Sequence, residues 1–134
     1  MTFPAKSTLL KSKRGLKAWR HGRYAEAACL LRLWLTGWRV IGHRLAGKRG
    51  TGIGEVDIVA ARGNILAFIE VKARASTADA LESIQAQQRA RIQAAAAAFL
   101  ARHPQFAHLT VRFDAMISGG ILWPKHVPDA WRLS

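Results

Sequence analysis

The sequence predicts a single α/β domain with a mixed sheet, its elements running helix, three strands, helix, strand, short strand. Three observations carry this. An Ala/Leu/Arg-rich stretch from Gly15 to Thr36 keeps helical spacing and stops at Gly37. Two apolar runs, Glu55 to Ala61 and Ile65 to Arg74, flank Gly63-Asn64, a two-residue linker of the kind that closes a hairpin in a primed turn. A run from Ala80 to Ala101, with alanine at every position from 94 to 98, is a strong helix former placed between strands, which makes it a crossover.

The remaining elements come from local chemistry. Trp38 to Leu45 reads as the first strand, and the glycine-rich basic stretch Gly47 to Gly54 as the loop after it. His103-Pro104 ends the second helix. Leu109 to Ser118 is a strand, turned at Gly119-Gly120 into a short apolar piece, Ile121-Leu122-Trp123; Pro124 and Pro128 make the tail irregular. The expected organisation is a flexible basic arm over 1–14, the domain over 15–124, and a C-terminal tail over 125–134.

Composition narrows the function. Half of the 134 residues are hydrophobic, so the chain has a core to bury and is not a disordered polyelectrolyte. The single cysteine, Cys29, excludes a disulfide framework and a multi-thiolate zinc site, and its Leu-rich helical neighbourhood makes it a buried, inert thiol. No stretch is apolar enough to span a membrane, and the N-terminus lacks the apolar core of a secretory signal, so the expected compartment is the cytoplasm. Twenty-one Lys and Arg against eight Asp and Glu, a net charge of +13, call for a polyanionic partner. Nucleic acid, DNA in the first instance, is that partner, and a membrane surface is not, because no long helix sets a basic face against an apolar one. Lys11, Lys13, Arg14 and Lys17 near the N-terminus, Arg44, Lys48 and Arg49 before the acidic strand, and Arg74 after Lys72 are the candidate phosphate contacts.

Three of the eight acids, Glu55, Asp57 and Glu70, stand in the two apolar runs of the hairpin. Charged groups there cost free energy unless they are paired or hold a metal. Side chains alternate along a strand, so Glu55 and Asp57 share a face, as do Glu70 and Lys72. A two-residue turn pairs Asp57 with Glu70 and Glu55 with Lys72. Like charges directly opposite one another repel, and a hard cation, Mg²⁺ or Mn²⁺, relieves that repulsion. Such an ion beside a lysine can cleave a phosphodiester: it polarises the phosphoryl oxygen and activates water, while Lys72 steadies the developing charge. On the first helix, Glu26 lies on one stripe with Trp19, Leu30 and Leu33, a place where a surface glutamate has no reason to be.

An Asp followed by Glu-x-Lys and preceded by a helical Glu resembles the PD-(D/E)XK superfamily of restriction-endonuclease-like nucleases. More closely, "GEVDIVA" (54–60), "FIEVKAR" (68–74), the alanine-rich helix and "RFDAMIS" (112–118), in this order and spacing, resemble the YraN family of bacterial proteins over about residues 15–124. The resemblance implies a restriction-endonuclease-like fold with an αβββαβ core, and a metal-dependent nuclease acting on DNA, branched or structured DNA included. It implies Asp57 and Glu70 as metal ligands, Lys72 as the catalytic lysine and Glu26 as an acid reaching the ion directly or through water. Glu55 belongs to the motif in a supporting role. Gln88 stands where family members often carry a helical lysine and brings a hydrogen bond without a charge. The alternative is a nucleic-acid-binding protein that keeps the fold with little or no hydrolysis.

Asp114 reads as a structural ion-pair partner of Arg112 on the fourth strand, and the five histidines show no metal-ligand spacing. The tryptophans read chiefly as core, with Trp38, beside Arg39, a candidate for stacking on a base.

Overall fold

The computed structural model describes residues 25–43, 56–73, 77–82, 84–118 and 123–132. Outside them lie the basic arm, Trp19, the loop with Arg44, Lys48 and Arg49, the residues Glu55 and Arg74, and the apolar pair Ile121-Leu122. The fold is α/β, with an open five-stranded mixed sheet.

Helix α1 runs through residues 25–35. It ends as Gly37 dictates: φ is +89° there, Gly37 N–H donates to Trp34 O at 3.2 Å, and Trp38 N–H donates to Leu33 O at 2.9 Å. This is a Schellman cap, whose left-handed residue is usually glycine. A Cβ on Gly37 would meet only Arg62 Cδ at 3.8 Å, so substitution is opposed by backbone strain and not by a clash. Gly37→Ala is therefore expected to lower stability by about 1–2 kcal/mol, read from urea unfolding.

Strands β1 (Arg39–His43), β2 (Ile58–Arg62) and β3 (Ile65–Lys72) form an antiparallel meander, with a bulge in β1 between Val40 and Gly42. The β2–β3 register is the one the two-residue turn predicts, Arg62 opposite Ile65 and Ile58 opposite Ile69. Gly63 has φ +59°, and no positive φ occurs at Asn64, the pattern of a type II′ turn.

A single crossover helix was expected. The described residues hold two helices there, α2 (Thr77–Glu82) and α3 (Ala86–Arg102). The break turns Ile84 into the core, an apolar gain that offsets the helical hydrogen bonds given up. Arg89 Nε donates to Ile84 O at 3.0 Å, so the carbonyl released by the break is satisfied. Helix α3 buries Ile92, Ala96 and Phe99, one stripe at helical spacing, and ends at His103 before a 3₁₀ turn, Pro104–Phe106. Strand β4 (Thr110–Ile117) lies parallel to β3 along its whole length, from Ile65 opposite Thr110 to Lys72 opposite Ile117.

The expectation of an irregular tail from residue 125 is corrected. Lys125–Val127 form strand β5, antiparallel to the end of β4, and Trp131 is buried, stacked on Phe113 with ring centroids 4.3 Å apart. Pro124 and Pro128 bracket the strand without interrupting it, so neither removes a ladder hydrogen bond.

The sheet is buried on both faces. Val59, Ala61, Leu66, Phe68, Phe113 and Ala115 pack toward α3, while Ile58, Ala60, Ala67, Ile69 and Met116 pack toward α1 with Cys29, Leu33 and Trp38. Trp38 is core and does not present a face to a base: Arg62 and Arg112 sit 4.7 and 5.4 Å from its ring centroid. Among the described residues no helix is long and apolar enough to cross a membrane.

Candidate active site

Glu70 and Lys72 close β3 on the face that packs against α3. Asp57 stands one residue before β2, so the hairpin register carries it to Glu70. The ladder stops at Ile58, and the Asp57 side chain takes over: its Oδ2 accepts the Val71 backbone N–H at 2.8 Å. That bond pins the carboxylate at the strand end. Gln88, in the first turn of α3, supplies the third wall. Its Nε2 donates to Glu70 Oε1 at 2.8 Å, its own Oε1 accepts from Lys72 Nζ at 3.2 Å, and Lys72 Nζ lies 3.6 Å from Glu70 Oε1. One amide thus joins the acid to the lysine and holds both rotamers.

The Glu70 carboxyl is buried, and its two oxygens fare differently. Oε1 receives Gln88 and lies near Lys72, whereas Oε2 is buried with no hydrogen-bond partner. Burial first, and then the negative charge of Asp57, push the Glu70 pKa up to about 8, with Lys72 pulling the other way. With both carboxyls ionised, neither Asp57 nor Glu70 has a proton to share. With one proton held between them, they bond to each other. A divalent cation in place of that proton would satisfy Oε2 and cancel the repulsion.

Glu26 is half-buried on α1, the helix covering the opposite sheet face. The Cys29 thiol reports where its charge reaches. Cys29 is fully buried, and its pKa is raised to about 12 by burial first and then by Glu26 and Asp57. The thiol is inert, as its neighbourhood predicts. Both acids thus lie within electrostatic reach of that thiol. Among the described residues, however, no three Asp, Glu, His or Cys side chains form a group able to hold an ion. The structure brings together Asp57, Glu70, Lys72 and Gln88. Glu26 stays outside that group, and Glu55 and the candidate phosphate-binding residues Lys11, Lys13, Arg14, Lys17, Arg44, Lys48, Arg49 and Arg74 lie outside the described residues.

Ser118 is a neighbour that no sequence pattern singles out. Its N–H donates to Lys72 O at 3.0 Å, and its hydroxyl is buried without a partner. Only the parallel pairing of β4 with β3 brings it here.

A second polar group lies on the α1 face. Asp114 has no exposed surface; Arg112 grips it with Nε on Oδ1 and Nη2 on Oδ2, both at 2.8 Å. His126 Nε2 lies 2.7 Å from Oδ2, and the Asp129 N–H donates to Oδ1 at 2.9 Å. An ionised carboxylate only accepts, so His126 Nε2 carries the proton. Burial raises the Asp114 pKa, but the bonds from His126 and Arg112, and then the Asp129 N–H, outweigh it and hold the group below the ordinary range. This is the structural role expected of Asp114.

Sequence comparison agrees with the motifs. The model of the uncharacterised protein family UPF0102 matches residues 25–117, which contain every member of the acid–lysine–glutamine group. The chain belongs to the UPF0102 family. It is 48% identical over 116 residues to a UPF0102 protein of Paramagnetospirillum magneticum, covering 87% of this chain and 90% of that one. A UPF0102 protein of Parvibaculum lavamentivorans is 44% identical over 118 residues, with 88% and 86% covered. One of Caulobacter vibrioides is 38% identical over 122 residues, with 91% and 94% covered. The likeness spans nearly the whole of each relative, so the UPF0102 unit and this α/β domain coincide.

Proposed function

We propose that this UPF0102 protein is a metal-dependent nuclease that hydrolyses phosphodiester bonds in DNA, branched or structured DNA included. The observation that carries the reading is the buried Glu70 carboxyl beside Asp57, two acids that repel one another when both are ionised. Such a pair needs a shared proton or a cation between its members, and a divalent ion serves where both are ionised. The element order, α1, three strands, a helical crossover and a parallel fourth strand, supports the finer reading of a restriction-endonuclease-like fold.

Asp57 and Glu70 would hold a Mg²⁺ or Mn²⁺ ion, with Glu26 on α1 as the further acid. Two protein carboxylates suit Mg²⁺, which keeps several waters and shares substrate phosphate oxygens. When bound, the ion supplies Lewis-acid polarisation of the phosphate and a water of lowered pKa. The chain's residues do the rest. The Val71 N–H holds Asp57 in place, and Gln88 holds Glu70 and Lys72 in register. The Lys72 ammonium would stabilise the charge that develops on the phosphate oxygens. The chain's excess of basic residues draws the polyanion in.

Calorimetric titration with Mn²⁺ tests the ion first, and Mg²⁺- or Mn²⁺-dependent cleavage of duplex, single-stranded, flap and four-way-junction DNA tests the reaction. Glu70 must release its proton to bind, so Mn²⁺ affinity should rise with pH by up to about tenfold per unit and level off above about pH 8. No heat at any pH, with or without DNA, would reject the metal. Ion-independent DNA binding with no cleavage of any substrate would leave a non-hydrolytic nucleic-acid binder.

A further inference from the structure

The start of α3 lacks the devices that ordinarily fix a helix start. Its N-cap, Gln85, makes no side-chain hydrogen bond to the first turn, and no acid stands in that turn. Yet the start has to be placed closely. Gln88, in the same turn, donates to Glu70 Oε1 at 2.8 Å and accepts from Lys72 Nζ at 3.2 Å. A slip of one residue along a helix turns its side chains by about 100° and moves them by about 1.5 Å, more than either bond tolerates.

Arg89, the next residue, supplies what the cap does not. Its Nε donates to Ile84 O at 3.0 Å, reaching back across the helix start. That carbonyl is the acceptor the Gln88 N–H would take if α3 grew backward by one residue. Growth of that kind would carry Gln85 from its extended backbone, φ −74° and ψ 162°, into the helical region. The rotation swings Ile84 and α3 against one another. Either Ile84, 1% exposed, leaves the core, or Gln88 leaves Glu70. With its acceptor already taken by a side chain, the helix has no bond to gain by growing. The Arg89 guanidinium carbon also lies 6.0 Å from the Trp131 ring centroid, the outer limit of a cation–π contact, so the Ile84 bond is the firmer hold.

We infer that Arg89 is the positioning residue of the acid–lysine group: it fixes where α3 begins, and through Gln88 it sets the Glu70 carboxyl and the Lys72 ammonium against one another. Arg89 acts through the backbone of the helix start. As a determinant of turnover this rests on the nuclease reading; as a determinant of the two Gln88 bonds it does not.

The test begins with ¹H–¹⁵N NMR of the full chain in chelator, without nucleic acid. In the wild type the Arg89 Nε–H should exchange with solvent more slowly than that of Arg91, an exposed arginine two residues along the same helix. Equal exchange would overturn the inference without any variant. The Gln88 side-chain amide, identified by its absence in Gln88→Leu, should move toward the position of a free glutamine in Arg89→Met. That variant keeps the length of the stem and removes the donor. Arg89→Lys, which keeps a donor, should restore the signal, and Arg91→Met should leave it in place. In Mn²⁺-dependent cleavage Arg89→Met should lower kcat about tenfold with KM unchanged, the loss expected when the support of a metal site is loosened. An unmoved Gln88 amide in Arg89→Met, or the same displacement in Arg91→Met, would overturn the positioning role. A displaced amide in a protein that cleaves no substrate would keep that role and reject the nuclease. Active cleavage with kcat unaffected by Arg89→Met would do the reverse.

Discussion

Replacing Glu70 by Gln, or Asp57 by Asn, should lower Mn²⁺-dependent DNA cleavage by more than about 10³-fold while leaving DNA affinity equal or higher. On the proposed reading each change removes one of the two carboxylates that would hold the ion, a larger loss than the roughly 10²–10³ carried by a single charge-stabilising donor in other enzymes. Each also removes a negative charge from beside the bound phosphate, which explains the direction of the affinity change. Lys72→Ala should lose cleavage with Mn²⁺ still bound, because an ammonium stabilises charge and ligates nothing. The same variants carry a pH signature that does not depend on turnover. The folded protein without metal holds a proton on Glu70 up to about pH 8, whereas the unfolded chain releases it in the ordinary carboxylate range. Its contribution to stability is thus fully present at low pH and is lost as pH rises through about 8. Glu70→Gln cannot titrate, so in chelator its Tm should gain on wild type as pH rises from about 5 to about 8. Parallel Tm curves for the two proteins would remove the buried, repelled carboxylate on which the mechanism rests.

Those residues were legible because a strand repeats every two residues and a two-residue turn leaves one register. Once Gly63-Asn64 is a turn, the pairing of Asp57 with Glu70 comes from counting, and the ladder from Ile58–Ile69 to Arg62–Ile65 is the one counted. The helix end at Gly37 was legible for the same local reason. What the sequence did not disclose depends on contacts between distant segments. Gln88 came from the family resemblance and from no spacing of its own; the break at Ile84, made by the pull of the core, starts α3 where its amide reaches Glu70. The reach of the Val71 N–H to Asp57 is invisible in any pattern of side chains. A short last strand was expected at Ile121-Leu122-Trp123; the one formed, Lys125–Val127, was hidden by the prolines on either side of it, which look like breakers until Asp114 is seen gathering His126 and the Asp129 N–H around itself.

That gathering makes Asp114 the side chain whose loss should cost the fold most. Asp114→Ala would take from the Arg112 guanidinium both of the oxygens it grips, and would strand the His126 ring and the Asp129 N–H with it. Breaking a buried pair by removing one partner costs about 3–5 kcal/mol. The Tm should fall by on the order of 10 °C, and Asp114→Asn, which keeps the shape and one acceptor, should fall less. The lowered pKa of Asp114 sets the acid limit of this contribution: it is present above the ordinary carboxylate range and lost as pH falls through the folded pKa. The unfolding should also be local in its first step. β5 pairs with the last residues of β4, Ala115–Ile117, and Trp131 is held by Phe113, so hydrogen exchange in Asp114→Ala should accelerate first in β5 and the residues after it. The α3 face, which carries Gln88, Glu70 and Lys72, packs against the opposite side of the sheet from Asp114. Mn²⁺ binding by the variant below its Tm should therefore stay close to wild type. Loss of metal binding at a temperature where Asp114→Ala is folded would mean that the two polar groups, on opposite faces of one sheet, act as a single unit.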